Sequence, residues 1–91
     1  MKGQNEFIIS KQLLRSATSI GANIEEAIAG QSRKDFIHKL TIASKEARET
    51  RYWLKLLQES KLTNENCLQY LEKVNELIAI LTKIIKTTSS K

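Results

Sequence analysis

Residues 33 to 59, RKDFIHKLTIASKEARETRYWLKLLQE, decide the fold. Phe36, Leu40, Ala43, Ala47, Thr50, Leu54 and Leu57 recur at alternating spacings of four and three. At about 100° per residue such a series stays on one stripe of a helix, whereas a strand would scatter it over both faces. The stretch therefore predicts a long helix that packs against neighbours along its whole length.

The same periodicity extends outward on both sides. Upstream, Ile9, Leu13, Ala17, Ile20, Ile24 and Ile28 share one face of a helix expected over 6–29, with Gly21 and Ala22 leaving room for close backbone approach near its middle. Downstream, a helix expected over 64–86 carries two apolar stripes. Cys67, Leu71, Val74, Ile78, Leu81 and Ile85 form one, and Leu77, Ile80 and Ile84 form the other. Together they cover roughly half the helix circumference, more than one neighbour hides, and self-association is the simplest remedy. Two breaks separate the helices. Gly30 suits the left-handed position after a helix end, and Ser32 followed by Asp35 resembles a capping box. Thr63 is placed to cap the third helix, with Glu65 in its first turn, and the tail 87–91 is expected to fray.

Ninety-one residues make one domain, and the absence of proline with only three glycines argues against turn-dense β architectures. The expected fold is an all-α, antiparallel helical bundle of three long helices. One cysteine forms no internal disulfide, and one histidine beside it does not complete a structural zinc site. No apolar run approaches the roughly 18 residues of a membrane span, and the first residues lack a signal-peptide pattern, so a cytoplasmic home without membrane attachment is expected.

Little in the chain points to catalysis. His38 has no nucleophile or carboxylate at triad or metal spacing and reads as a helix-surface residue, while Cys67 falls on an apolar stripe and reads as a core hydrophobe. No catalytic, cofactor-binding or metal-ligating residue is assigned. Charge is more informative. The chain carries a net charge of +5. On the middle helix Arg33, Lys34, Lys45, Arg48, Arg51 and Lys55 fall on one flank, with Asp35, Glu46 and Glu49 opposite. Such a cationic stripe either is a solvated face or tracks a phosphate backbone, with Tyr52 within it as a stacking surface. Trp53, on the acidic flank, either packs against a neighbouring helix or anchors an interface. On the first helix Arg15, Ser19, Asn23 and Glu26 form a polar line. It is either plain surface or an oligomer contact, since Arg15 and Glu26 are complementary yet too far apart to meet within one helix.

The segments KQLLRSATSIGANIEEA (11–27), SRKDFIHKL (32–40) and ASKEARETRYWLKLL (43–57) resemble the bacterial four helix bundle protein family, also known as the protein of intervening sequences in large-subunit ribosomal RNA genes. The matching positions are Arg15, Ser16, Ser19, Ile20, Asn23, Ile24, Glu25 and Glu26, then Ser32, Arg33, Lys34, Asp35 and Phe36. The resemblance covers nearly all of the chain, the last helix in pattern more than in residues. It implies a helical bundle and a ring-like homo-oligomer, typically a pentamer, and it brings no catalytic residues. The chain is also similar to the accessory protein of diversity-generating retroelements, which implies a reverse-transcriptase-like partner and nucleic acid, beside the ribosomal partner that the rRNA-gene family suggests. Family members usually begin with a further helix, and only five residues precede Glu6 here, so the first of the usual four helices is expected to be missing.

These readings combine into a non-enzymatic oligomeric scaffold that binds RNA or DNA through the basic face of the middle helix. The alternative is a protein-interaction subunit, or an accessory protein of a nucleic-acid enzyme with no nucleic-acid contact of its own.

Overall fold

The computed structural model of the chain describes residues 2–60 and 67–90, with side chains from residue 7 onward. Three helices follow one another: α1 (Lys2–Ala29), α2 (Arg33–Ser60) and α3 (Leu68–Ser89). The expected all-α bundle is present; α1 begins earlier, and α2 and α3 end later, than expected, whereas α3 begins at Leu68, later than the expected 64. α1 starts four residues earlier than its apolar pattern, since no proline stops it. The tail expected to fray is helical through Ser89, where Ser90 donates from its backbone N–H and from Oγ to the Lys86 carbonyl at 3.1 and 2.9 Å. Thr63 and Glu65 lie outside the described residues, and Cys67 stands at the N-cap of α3, its backbone N–H donating to Gln58 Oε1 at 3.0 Å.

The turn from α1 to α2 takes three residues. Ser32 caps α2 as its sequence predicts: its Oγ accepts from the Asp35 N–H at 3.0 Å, and its carbonyl accepts the Phe36 N–H at 3.0 Å. Gly30 differs from expectation, because its backbone is not left-handed. What a glycine provides is space: a Cβ there would lie 2.5 Å from Asp35 Oδ2 and 3.1 Å from the Ala27 carbonyl oxygen, so a side chain would push the Asp35 carboxylate aside and crowd the end of α1.

α2 is the shared floor of the molecule. Leu40, Ala43, Ala47, Thr50, Leu54 and Leu57 are buried, Phe36 half-buried, and Ser44 joins them. Both α1 and α3 pack on it, while the α1 and α3 backbones stay more than 8 Å apart at every described Cα pair. The Cα envelope measures 49 × 19 × 13 Å, and its thinnest dimension exceeds one helix–helix spacing of about 8–10 Å only slightly. The arrangement is an open slab rather than a closed triangle. Ile20, Ala27, Leu40, Ala43, Ala47, Ile78 and Leu81 form the larger core cluster, and Ile9, Leu54, Leu57 and Cys67 a second one towards the other end. Cys67 is thus the core hydrophobe its stripe predicts.

The buried face of α1 is rotated from the predicted one. Ile9, Ser16, Ile20 and Ala27 are buried, whereas Ala17 is exposed and Ile28 is 74% exposed. A serine takes the central position because it is satisfied there: Ser16 Oγ donates to the Leu13 carbonyl at 3.2 Å and lies 2.9 Å from Thr50 Oγ1 across the seam. Gly21 admits no close helix either, since nothing lies within 4 Å of where its Cβ would be.

Candidate functional site

Two flanks of α2 receive opposite charges, and each has a different fate. The acidic flank turns towards α1. Arg15 forms an ion pair with Glu49 and approaches Glu46 Oε2 at 3.8 Å, Trp53 donates from its indole N–H to Glu49 Oε1 at 3.3 Å, and Lys39 pairs with Glu26 at 3.0 Å. Asn23 donates to the Ser19 carbonyl and hydroxyl at 2.9 and 3.2 Å. The polar line of α1 therefore finds its complementary charges on α2 of the same chain, at partners 34 residues away for Arg15. Trp53 is half-buried against the cluster of Ile9, Leu54 and Leu57, with the Tyr52 ring edge-on at 5.1 Å.

The basic flank keeps its charge uncompensated. Arg33, Lys34, Lys45, Arg48 and Lys55 are exposed, and none of them pairs with an acidic group among the described residues. Arg51 is half-buried and donates to Asn75 Oδ1 of α3 at 3.1 Å. The six cations run along about 33 Å of helix. Tyr52, on the same flank, is exposed. α3 adds a residue that the sequence reading did not single out. Lys86 joins Lys45 and Arg48 around a cleft of about 560 Å³ where α3 meets the back of α2, with Thr41, Ser44, Thr82 and Ile85 completing its walls. Its signal lay in the polar flank of α3, opposite the second apolar stripe, but the rotation of α3 on α2 is needed to see which residues it meets.

On the other side of the slab, α1 and α3 wall an apolar groove. Leu13 and Ala17 of α1, Leu54 and Leu57 of α2 and Tyr70 and Val74 of α3 line a cavity of about 470 Å³. Leu14 and Ile28 on α1, and Ile80 and Ile84 on α3, stay exposed. Of the second stripe of α3, Leu77 packs half-buried against the larger core cluster, and Ile80 and Ile84 are left uncovered.

His38 is exposed on the α2 surface, as expected. Among the described residues no three His, Cys, Asp or Glu side chains converge as a metal site would require, and no helix is long and apolar enough to cross a membrane.

Comparison with known proteins gives this geometry a lineage. No curated protein matches the chain. A crystal structure of a protein with unknown function from the S23 ribosomal protein family of Bacteroides thetaiotaomicron is similar, with a TM-score of 0.84 and 53% identity, covering 92% of this chain and 76% of that one. The model of the 23S rRNA-intervening sequence protein matches residues 1–83. With that match over most of its length and a close structural relative, the chain belongs to the 23S rRNA-intervening sequence protein family.

Proposed function

We propose that the protein is a non-enzymatic, oligomeric helical scaffold of the cytoplasm that binds nucleic acid, RNA or DNA, through the basic face of α2. The observation that carries this reading is the separation of charge on that helix. Glu46 and Glu49 are engaged by Arg15 from α1, which leaves five exposed cations with no carboxylate paired to them among the described residues. Phosphates would be contacted one per cation, so binding tolerates sequence and falls with salt at a log-log slope of about −0.7 to −0.9 per phosphate neutralised. Arg48→Glu with Lys55→Glu is expected to weaken binding and flatten that slope while leaving the helical circular-dichroism melt unchanged. Wild-type protein that shows no salt-sensitive binding at low ionic strength would reduce the flank to a solvated face.

The oligomer in this reading forms over the apolar groove, with a second copy of the chain as the cover; five copies in a ring is the number that the family resemblance suggests. A second reading, a protein-interaction subunit serving a ribosomal or reverse-transcriptase-like partner, draws on the same groove, since a Leu, Val and Tyr lining suits a protein partner. Static light scattering of the pure protein separates them. A folded monomer at micromolar concentration would transfer the groove to a different partner.

A further inference from the structure

We propose that the cleft between the back of α2 and α3 is a binding site for single-stranded nucleic acid, taking a phosphate between Lys45, Arg48 and Lys86 and the attached base against its apolar floor. This rests on the reading of α2 as a nucleic-acid-binding face and adds to it a location, a residue from another helix and a preference for strand state.

Three observations converge on the cleft. Its cations come from two helices, and none of the three pairs with an acidic group among the described residues. Cations brought together without a counterion repel one another, and a bound phosphate relieves that repulsion. Next, its hydroxyls are in unequal states. Thr41 donates to the Ile37 carbonyl at 2.7 Å, but Ser44, only 8% exposed, makes no hydrogen bond to any described residue. Its hydroxyl is open to solvent at the wall of a cationic cleft and spoken for by no described residue, so it is available to donate to a phosphate oxygen. Finally, the floor is not ionic. Ile85 is half-buried there, and the threonine methyls and lysine stems around it present apolar surface.

That mixture selects among polyanions. A duplex turns its phosphates and sugars outward and keeps its bases stacked, so an apolar floor between cations offers it nothing. A single strand offers both components at once, a phosphate for the rim and an unstacked base for the floor. The track continues along α2, where exposed Tyr52 lies about 10 Å further along the axis than Lys45 and gives a neighbouring base an aromatic face.

The test measures fluorescence anisotropy of a labelled 20-nucleotide uridine single strand and of a 20-base-pair RNA duplex against the full chain, titrated with sodium chloride. The single strand is expected to bind roughly tenfold tighter than the duplex. Lys86→Glu and Thr82→Glu should each weaken single-strand binding roughly three- to tenfold, and Lys86→Glu should lower the salt slope by about one phosphate. Ala22→Glu, on the exposed side of α1, is the control for added negative charge and should leave binding within about twofold. Helical melts show that each variant folds; Thr82 and Lys86 are both exposed, so two independent variants probe the cleft. Equal affinity for duplex and single strand, or an equal loss from Ala22→Glu, overturns the cleft while the basic face of α2 stands. Salt-insensitive or absent binding of both RNAs removes both.

Discussion

The two grooves beside α3 share a helix and differ in what they leave unsatisfied. The one facing α1 is walled mainly by Leu, Ala, Val and Tyr side chains; the one at the back of α2 is rimmed by Lys45, Arg48 and Lys86. Water solvates the cationic cleft well, so that cleft drives no association until a polyanion releases its counterions there. It solvates the apolar groove poorly, at a cost of roughly 25 cal/mol per Å² of exposed apolar surface, so that groove favours a cover at all times. One surface is conditional and the other standing. A helix with one apolar and one polar flank lets a chain of this size carry both without either interfering with the core between them.

Substitutions along α3 and α1 test that division, beginning with the largest effect. Leu81 is buried towards α2 at 3% exposure, and Leu81→Ala should cost about 2–5 kcal/mol in urea unfolding. Ile80, its neighbour at 54% exposure, should lose far less in the isolated chain on the same change. Equal losses would mean that α3 is rotated from the orientation described. Second, Ile80→Asp with Ile84→Asp should weaken self-association by about 3 kcal/mol, read as a fall in mass by light scattering, while single-strand binding persists. Retention of the assembly would move its interface off this exposed stripe of α3.

A smaller effect addresses the seam between α1 and α2. Thr50→Val removes the bond that Ser16 Oγ accepts while Ser16 keeps its own bond to the Leu13 carbonyl; it should cost about 1 kcal/mol, and the loss with Ser16→Ala added should fall short of the sum of the two single losses, because both count the same bond. Loss that simply adds would deny the pair. The smallest effect concerns Arg15. Its side chain is half exposed, so Arg15→Ala should change stability by less than about 1 kcal/mol and leave the oligomer intact. Dissociation on that change would place the contact between copies on the polar flank of α1 instead of the groove.

The seam of α2 was legible in the sequence because its spacing of four and three is long, uninterrupted and made of residues that all prefer burial or tolerate it. The separation of its charges was legible for the same reason, since helical geometry alone fixes which side a residue takes. The rotation of α1 was not. Pattern reading counts Ser16 as polar and Ile28 as apolar, whereas the fold buries the serine against Thr50 and leaves the isoleucine out. Only the register between two helices reveals that a hydroxyl has a partner across the seam. The same holds for Arg15 with Glu49 and for Lys86 with Lys45 and Arg48, whose proximity depends on how helices are set against one another. Helix ends were missed where termination depends on hydrogen bonds, as at Ser90, rather than on where apolar residues stop.

Gly21 sits exposed in the middle of α1 with open space where a side chain would project. In the solitary chain a methyl group there would meet no obstacle and would restrict the unfolded backbone, raising stability by about 0.5–1 kcal/mol. A neighbour laid close along that side of the helix would meet the same methyl as an obstruction. One hydrogen atom thus carries opposite signs for the chain and for its assembly, and the melting temperature and the association constant of Gly21→Ala should move in opposite directions wherever a partner backbone rests on this position.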